Sequence, residues 1–329
     1  MHIVMPAASS DVPRSPPVAV LLIIFNRPTL TRQVFDAIRQ ATPPRLYIAA
    51  DGPRDGVETD VLLCEQAREV VQHVDWPCEV FASFNASNKG CKAAPPEAIS
   101  WFFSREECGI ILEDDTVPSL SFFPFAAEML SRFRNESRVM HVGGLFLQVL
   151  EPRRTESYVF SNLPTLWGWA TWRRAWQSYD LDMKTWPENR DGNLLRRLGK
   201  GIPGFEVVWR AGLDMAWQGK IDTWDYPWVY AVWASGGMMV MPTRNLVRNV
   251  GFGRLDATHT RVGLPRVLDL PLETLEGPMV GPTRLEADLD VDRFHARHLF
   301  GVPRFFYLRR VVRRALPEWL ARLLKRIVS

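Results

Sequence analysis

Cysteine is scarce in this chain: four in 329 residues (Cys64, Cys78, Cys91, Cys108), with no CxxC pair and no metal-ligand spacing. That excludes a disulfide scaffold and argues against a zinc site. A core of this size needs no covalent staples, so the thiols read as reduced and mostly buried, as in a cytoplasmic protein. Long apolar runs are also missing. The longest, Val18 to Phe25, is far too short to span a bilayer and reads as a fully buried strand. No GxGxxG follows it and no GxxxxGK[ST] occurs anywhere, which removes the dinucleotide fingerprint and the P-loop. Residues 1–17 hold four prolines and three serines with little apolar periodicity. They predict a flexible tail rather than a secretory signal.

Charge of one sign is lacking over most of the length. The net charge is +3, yet residues 302–329 carry eight Lys or Arg against one acid, a local +7, which leaves −4 for everything before them. A basic body that would hold nucleic acid is therefore not expected. In the tail, Phe305, Leu308, Val312, Leu316, Trp319, Leu323 and Ile327 recur every three or four residues with arginines between them, and Pro317 divides the pattern. Basic amphipathic helices of this kind lie on anionic membrane surfaces. A helix docked on the domain and a partner-binding helix are the alternatives. The membrane reading predicts a peripheral position on the inner face of the cytoplasmic membrane.

What is present is an alternation of strand and helix signals over the first half. Val18 to Phe25 is a strand, and Pro28 with Leu30, Val34, Phe35 and Ile38 marks a helix. Arg45 to Ala50, Cys78 to Phe84 and Gly109 to Leu112 are further strands. Val57 to Val74 is a second helix, and Pro95-Pro96 open a third over Glu97 to Phe103. This βαβαβαβ order predicts a parallel sheet covered by helices. The second half is aromatic: ten of the thirteen tryptophans lie between Trp167 and Trp233. Most must pack a helical layer, and a minority could form an apolar platform for a sugar ring.

Polar groups recur where each strand leaves the sheet: Asn26-Arg27 after the first, Asp51 after the second, Asn88-Lys89-Gly90 and Lys92 after the third, Glu113-Asp114-Asp115 after the fourth. Ligands of open α/β sheets bind at such carboxyl ends. Three adjacent carboxylates repel one another, and a bound Mg²⁺ or Mn²⁺, which takes oxygen ligands and bridges phosphates, removes that cost. The four ends together predict a metal–diphosphate site.

This pattern resembles the glycosyltransferases of the GT-A fold, which use nucleotide-diphosphate sugars. The residues that carry the resemblance are Phe25-Asn26-Arg27-Pro28, Asp51-Gly52, Asn88-Lys-Gly90 and Glu113-Asp114-Asp115 as a form of the DxD motif. In the second half, Leu166-Trp-Gly-Trp-Ala-Thr-Trp172, Thr223-Trp-Asp-Tyr226, Asn249-Val-Gly-Phe-Gly253 and Thr258-His-Thr260 look like bacterial nucleotide-diphospho-sugar transferases, similar to the β-1,2-N-acetylglucosaminyltransferase I group. The resemblance covers roughly residues 18–262. It implies a GT-A, Rossmann-like mixed sheet of seven or eight strands, mainly parallel, flanked by helices, with an aromatic-rich acceptor half. The expected organisation is a GT-A domain over 18–265, an irregular connecting segment over 266–301 and the basic helical tail over 302–329.

Carried over residue by residue, the resemblance implies that Asp51 hydrogen-bonds the base. It implies that Glu113 and Asp114 contact ribose and diphosphate, and that Asp115 ligates the metal. Asn26, Arg27, Asn88 and Lys92 belong to the same donor site. His259 stands near the metal or diphosphate, and Asp225 of Trp224-Asp225 is the base for the acceptor hydroxyl, with Asp214 and Asp222 as competitors. Arg248 and Arg254 flank the late loop and could contact phosphate. Pro227 departs from the family pattern and is expected to hold Tyr226 extended. The implied donor is a nucleotide sugar, a UDP-sugar first of all, and the acceptor a glycan or lipid-linked sugar. Rival readings are a sugar nucleotidyltransferase, which would need a Gly-rich basic loop where Asn26-Arg27-Pro28 stands, and a degenerate transferase serving as a membrane-associated binding module.

Overall fold

The computed structural model describes residues 18–148, 154–252 and 268–303. The expected leading tail and residues 304–329 of the expected basic tail, together with His259 and Arg254, lie outside the described residues.

β1 (Ala19–Ile24) is buried along its whole length, as an uninterrupted apolar strand must be at the centre of a two-faced sheet. α1 (Pro28–Ala41) follows, with Pro28 in its first turn and Leu30, Val34, Phe35 and Ile38 buried on one stripe. Then come β2 (Arg45–Ala50), α2 (Glu58–Val70), β3 (Glu79–Phe84), α3 (Gly90–Phe103) and β4 (Cys108–Glu113). The second half contains β5 (Thr116–Pro118), α4 (Phe122–Arg132), β6 (Val139–Gly143), β7 (Tyr158–Ser161) and β8 (Trp169–Trp172). Beyond them lie α5 (Arg173–Trp176), α6 (Trp186–Arg190), α7 (Leu194–Leu198), α8 (Phe205–Trp217), α9 (Asp225–Ala234), β9 (Met238–Pro242), β10 (Val247–Asn249) and α10 (Leu289–His298).

Eight strands form one sheet in the order β3-β2-β1-β4-β8-β6-β9-β7, and β10 pairs with β5 in a small antiparallel ribbon. β1 runs parallel to both β2 and β4, with Ile23 level with Glu113. β8 enters antiparallel between β4 and β6. The fold is therefore α/β, a mixed sheet flanked by helices. Val20, Leu22 and Ile24 face a core with α1, α2 and α4. Ala19, Leu21 and Ile23 face another with α3, α5 and α9. Because β2 and β4 lie on opposite sides of β1, the chain reverses its direction of winding there, and a crevice opens beyond the carboxyl ends of β1 and β4.

Three expectations are corrected. α3 begins at Gly90, not at Pro95-Pro96, and both prolines sit inside it. Each removes an i→i−4 hydrogen bond, to the carbonyls of Cys91 and Lys92, and crowds that carbonyl, a cost offset by the burial of Ala98, Ile99, Phe102 and Phe103 on the same helix. The segment expected to be irregular over 266–301 contains α10, whose N-cap Asp288 accepts from the Asp290 and Val291 amides at 3.0 and 3.1 Å. Pro227 does not hold Tyr226 extended. It falls in the first turn of α9, where its missing N–H would have had no helical partner. Among the described residues no helix is long and apolar enough to cross a membrane.

Most of the tryptophans are core. Trp169, Trp176, Trp224 and Trp228 pack beneath the sheet, and Trp186, Trp209 and Trp233 form a separate helical cluster with α8, α9 and Ala296 of α10.

Candidate functional site

The chain after β1 turns sharply into α1, and this turn is tied to the end of β4. The Phe25 amide donates to Asp114 Oδ2 at 3.2 Å. Arg27 reaches across with Nε on Asp114 Oδ2 at 3.2 Å and Nη1 on Asp115 Oδ2 at 3.0 Å, and its Nη2 pairs with Asp114 Oδ1. Asp114 is buried. Burial raises its pKa and Arg27 works against that rise. The cost of three neighbouring carboxylates is thus met in part by a guanidinium of the chain itself. Glu113 has no ion pair among the described residues, although the charge of Arg27 works in its favour. Burial first, then the charges of Asp115 and Asp114, push its carboxyl up to about 8, and Asp225 adds to the shift. Asp225 therefore stands within electrostatic reach of the acidic triplet.

Asp115 meets the second-half loop. The Val250 amide donates to its backbone carbonyl at 2.8 Å. A Cβ on Gly251 would lie 2.4 Å from Asp115 Oδ2, so only glycine lets the backbone after β10 approach this carboxylate. Asn249 Oδ1 fixes that turn by accepting from the Gly251 amide at 2.8 Å. The Asn249-Val-Gly segment and the acidic triplet, remote in sequence, share one site.

Asp51 is buried at the end of β2, and its two oxygens accept from Gly52 N, Asn85 Nδ2, Asn88 Nδ2, Lys89 N and Gly90 N at 2.9–3.1 Å. It organises the turn that launches α3. A Cβ on Gly52 would lie 2.5 Å from the Ser87 backbone, so this contact too requires glycine. Asn88 also donates to Gly52 O at 3.0 Å, and Lys92 lies half-buried in the first turn of α3. A cavity of about 170 Å³ opens between Asp51, Asn85, Lys89, Ala98 and Trp101. Asn26 points elsewhere: its amide donates to the buried Asp60 at 2.7 Å. Arg54, bonded to the same carboxylate, holds Asp60 down at about 2. Asp60 and Asn85 were not singled out in the sequence. Asp60 reads there as an ordinary acid in the first turn of a helix.

Asp225 is the first residue of α9. Its Oδ1 accepts from its own following amide, Tyr226 N, at 2.7 Å and from Thr223 Oγ. That is helix capping, and it occupies one oxygen. The residue also lines a cavity of about 180 Å³ walled by Leu166, Trp167, Trp209, Tyr226 and Phe300. Of the competitors, Asp214 is held by Arg190 at 2.7 and 3.0 Å and by Trp186 Nε1 at 3.0 Å, whereas Asp222 is exposed and sits against Cys91. Arg248 pairs with Asp269 at 3.0 Å.

The cavity walls are locked from behind by His141, fully buried in β6. Its Nε2 lies 2.8 Å from Thr165 O, and its Nδ1 accepts from Trp228 Nε1 at 3.1 Å. This pairing requires the neutral ring protonated on Nε2, and burial pushes its pKa down to about 4.

Among the described residues no group of three His, Cys, Asp or Glu side chains converges as a complete metal cage. The donor set still fits a hard divalent ion. Magnesium is commonly held by one or two carboxylates with the remaining positions filled by water and phosphate, and Asp115 and Glu113 are oxygen donors on one edge. No protein-family model matches this chain, and a search of curated proteins finds no match to it.

Proposed function

We propose that this protein is a metal-dependent glycosyltransferase of GT-A type that moves a sugar from a nucleotide-diphosphate donor, in the first place a UDP-sugar, to a glycan or lipid-linked acceptor. The observation that carries this reading is the placement of Glu113-Asp114-Asp115 at the winding reversal of the sheet, within electrostatic reach of Asp225 in an aromatic-walled cavity. Carboxylates suit a cation and a diphosphate, and an aromatic cavity with one carboxylate suits a sugar ring and its hydroxyl.

In this reading the nucleobase enters the cavity beside Trp101 and Asn85, and Asp51, expected from the sequence to bond the base itself, instead spends both oxygens holding the loop around it. Arg27 and Lys92 lie on the diphosphate side. Mn²⁺ or Mg²⁺ would be held by Asp115 with Glu113 beside it, and would neutralise charge developing on the leaving nucleoside diphosphate. Asp225 takes the proton of the acceptor hydroxyl as its oxygen bonds to the anomeric carbon, and the bond from that carbon to the diphosphate oxygen breaks. A base, with no nucleophile opposite it among the described residues, favours inversion.

One observation favours a second reading, a degenerate nucleotide-sugar-binding module: Arg27 already stands on Asp114 and Asp115 as a built-in cation. Turnover separates the two. A transferase releases nucleoside diphosphate only with Mn²⁺ or Mg²⁺ and loses this with Asp115→Asn, whereas a module binds donor without release in either form.

A further inference from the structure

The acidic edge already holds a cation of the chain's own, and Arg27 divides its hydrogen bonds unevenly between the two aspartates. Nε and Nη2 grip both oxygens of Asp114, and Nη1 alone crosses to Asp115 Oδ2 at 3.0 Å. The grip on Asp114 is complete without Nη1, since two parallel N–H bonds are the strong arrangement between a guanidinium and a carboxylate. A guanidinium carries five N–H groups. Three are spent on the aspartates, which leaves two without an acceptor among the described residues.

The aspartates differ as well. Only 3% of the Asp114 side chain is exposed, against 15% for Asp115. Asp115 Oδ2 lies between Arg27 and the backbone of Gly251, and its Oδ1 accepts from the Thr116 hydroxyl at a long 3.4 Å. Of the oxygens that a divalent ion would use, one is thus held by a full positive charge and the other only loosely.

An ion that comes alone to Asp115 meets like charge at hydrogen-bond range, in a partly buried place where such repulsion is strong. Displacing Nη1 would also leave that N–H without an acceptor. A nucleoside diphosphate changes both conditions, because it offers Nη1 and the two unspent N–H groups a phosphate, an oxyanion whose geometry a guanidinium matches. We propose that Arg27 reserves Asp115 for an ion that arrives with the donor's diphosphate: Nη1 leaves Asp115 for a phosphate oxygen while Nε and Nη2 stay on Asp114. Arg27 is then a positioning residue that couples metal binding to nucleotide binding, and the coupling is reciprocal. The inference rests on the metal–diphosphate reading above. It also reconciles the built-in cation with turnover, since Arg27 gives up one of its three bonds and keeps the buried pair.

The test reads Mn²⁺ binding to the full chain by electron paramagnetic resonance of the free ion, without sugar donor and without turnover. Each protein is measured with and without UDP, corrected for the ion that UDP holds in solution. Wild type is compared with Arg27→Gln, Arg27→Lys and the double variant Arg27→Gln/Asp115→Asn. Wild type is expected to bind Mn²⁺ about ten-fold or more tightly with UDP than without it. Arg27→Gln should bind the lone ion about ten-fold more tightly than wild type and gain less from UDP. Arg27→Lys keeps the charge beside Asp114 but lacks a second arm for Asp115, and it should move in the same direction. The double variant should lose the gain. Equal binding with and without UDP in wild type, or no gain in Arg27→Gln, would overturn the proposal. So would a gain that Arg27→Lys does not share, which net charge alone explains, or a gain that survives Asp115→Asn. If Arg27→Gln does not fold, Arg27→Lys carries the comparison, and the wild-type measurement needs no variant. Joint binding of UDP and Mn²⁺ that ignores Arg27 removes this inference alone, whereas a folded wild type that binds neither removes the metal–diphosphate reading with it.

Discussion

Two residues carry opposite burdens at the crevice. Arg27 is a structural cation and Asp225 is the proposed base, and their substitution should separate stability from activity. Arg27→Ala leaves Asp114 buried without its counter-charge, so chemical denaturation should show a loss of about 3 kcal/mol or more. Asp225→Asn keeps the shape and the Oδ1 contacts, so the thermal midpoint should hardly move while turnover falls by about 10²–10⁴. An equal loss of stability in both would return Asp225 to simple helix capping. The strand-end acids were legible in the sequence because apolar runs stop abruptly at Asp51 and Glu113. Their partners were not. Four of the five donors on Asp51 come from a loop 34–39 residues away in the chain, and nothing local announces that the loop folds back. Gly251 is similar. Its place in a Gly-rich turn was visible, but its requirement arises only from the nearness of Asp115, so Gly251→Ala should displace that carboxylate and weaken metal-dependent turnover more than donor binding in EDTA.

Among the elements, β6 and α9 are joined by His141, and this join should be sensitive to acid. The folded ring titrates near 4, against 6.5 in an unfolded chain. Below pH 6.5 the unfolded chain binds a proton that the folded one refuses. The contribution is therefore complete above 6.5 and is lost as pH falls towards 4, by about 3 kcal/mol in all. His295, held near 3 by burial, acts in the same direction. Asp292, raised to about 6, acts in the opposite one. A comparison with His141→Gln isolates the ring: the difference in unfolding free energy between the two proteins should shrink across pH 6.5–4, and a constant difference would mean that the ring is not neutral in the fold. Element existence was easily read for β1, α1 and β2, where apolar period and length agree. The start of α3 was not, because Pro95-Pro96 look like a helix opening and are instead tolerated one turn in. The helix at Leu289–His298 was hidden by a polar face, although Asp288 and the basic last turn are ordinary boundary signals.

For the whole molecule, the strand alternation of the first half fixes the parallel portion of the sheet, but β8 inserting beside β4 could not be foreseen. A four-residue strand such as Trp169-Ala-Thr-Trp172 carries no periodicity of its own, and its place is set by packing against Trp176 and Trp228. That insertion brings the aromatic half up to the acidic edge, the arrangement on which the proposed two-substrate crevice rests. The most direct test of this central claim is a panel of nucleotide sugars incubated with wild type and Asp115→Asn, in Mn²⁺, Mg²⁺ or EDTA, with release of nucleoside diphosphate measured. The account predicts metal-dependent release from one donor, a UDP-sugar first of all, lost in the variant and in EDTA. A folded protein that binds none of the panel would contradict it.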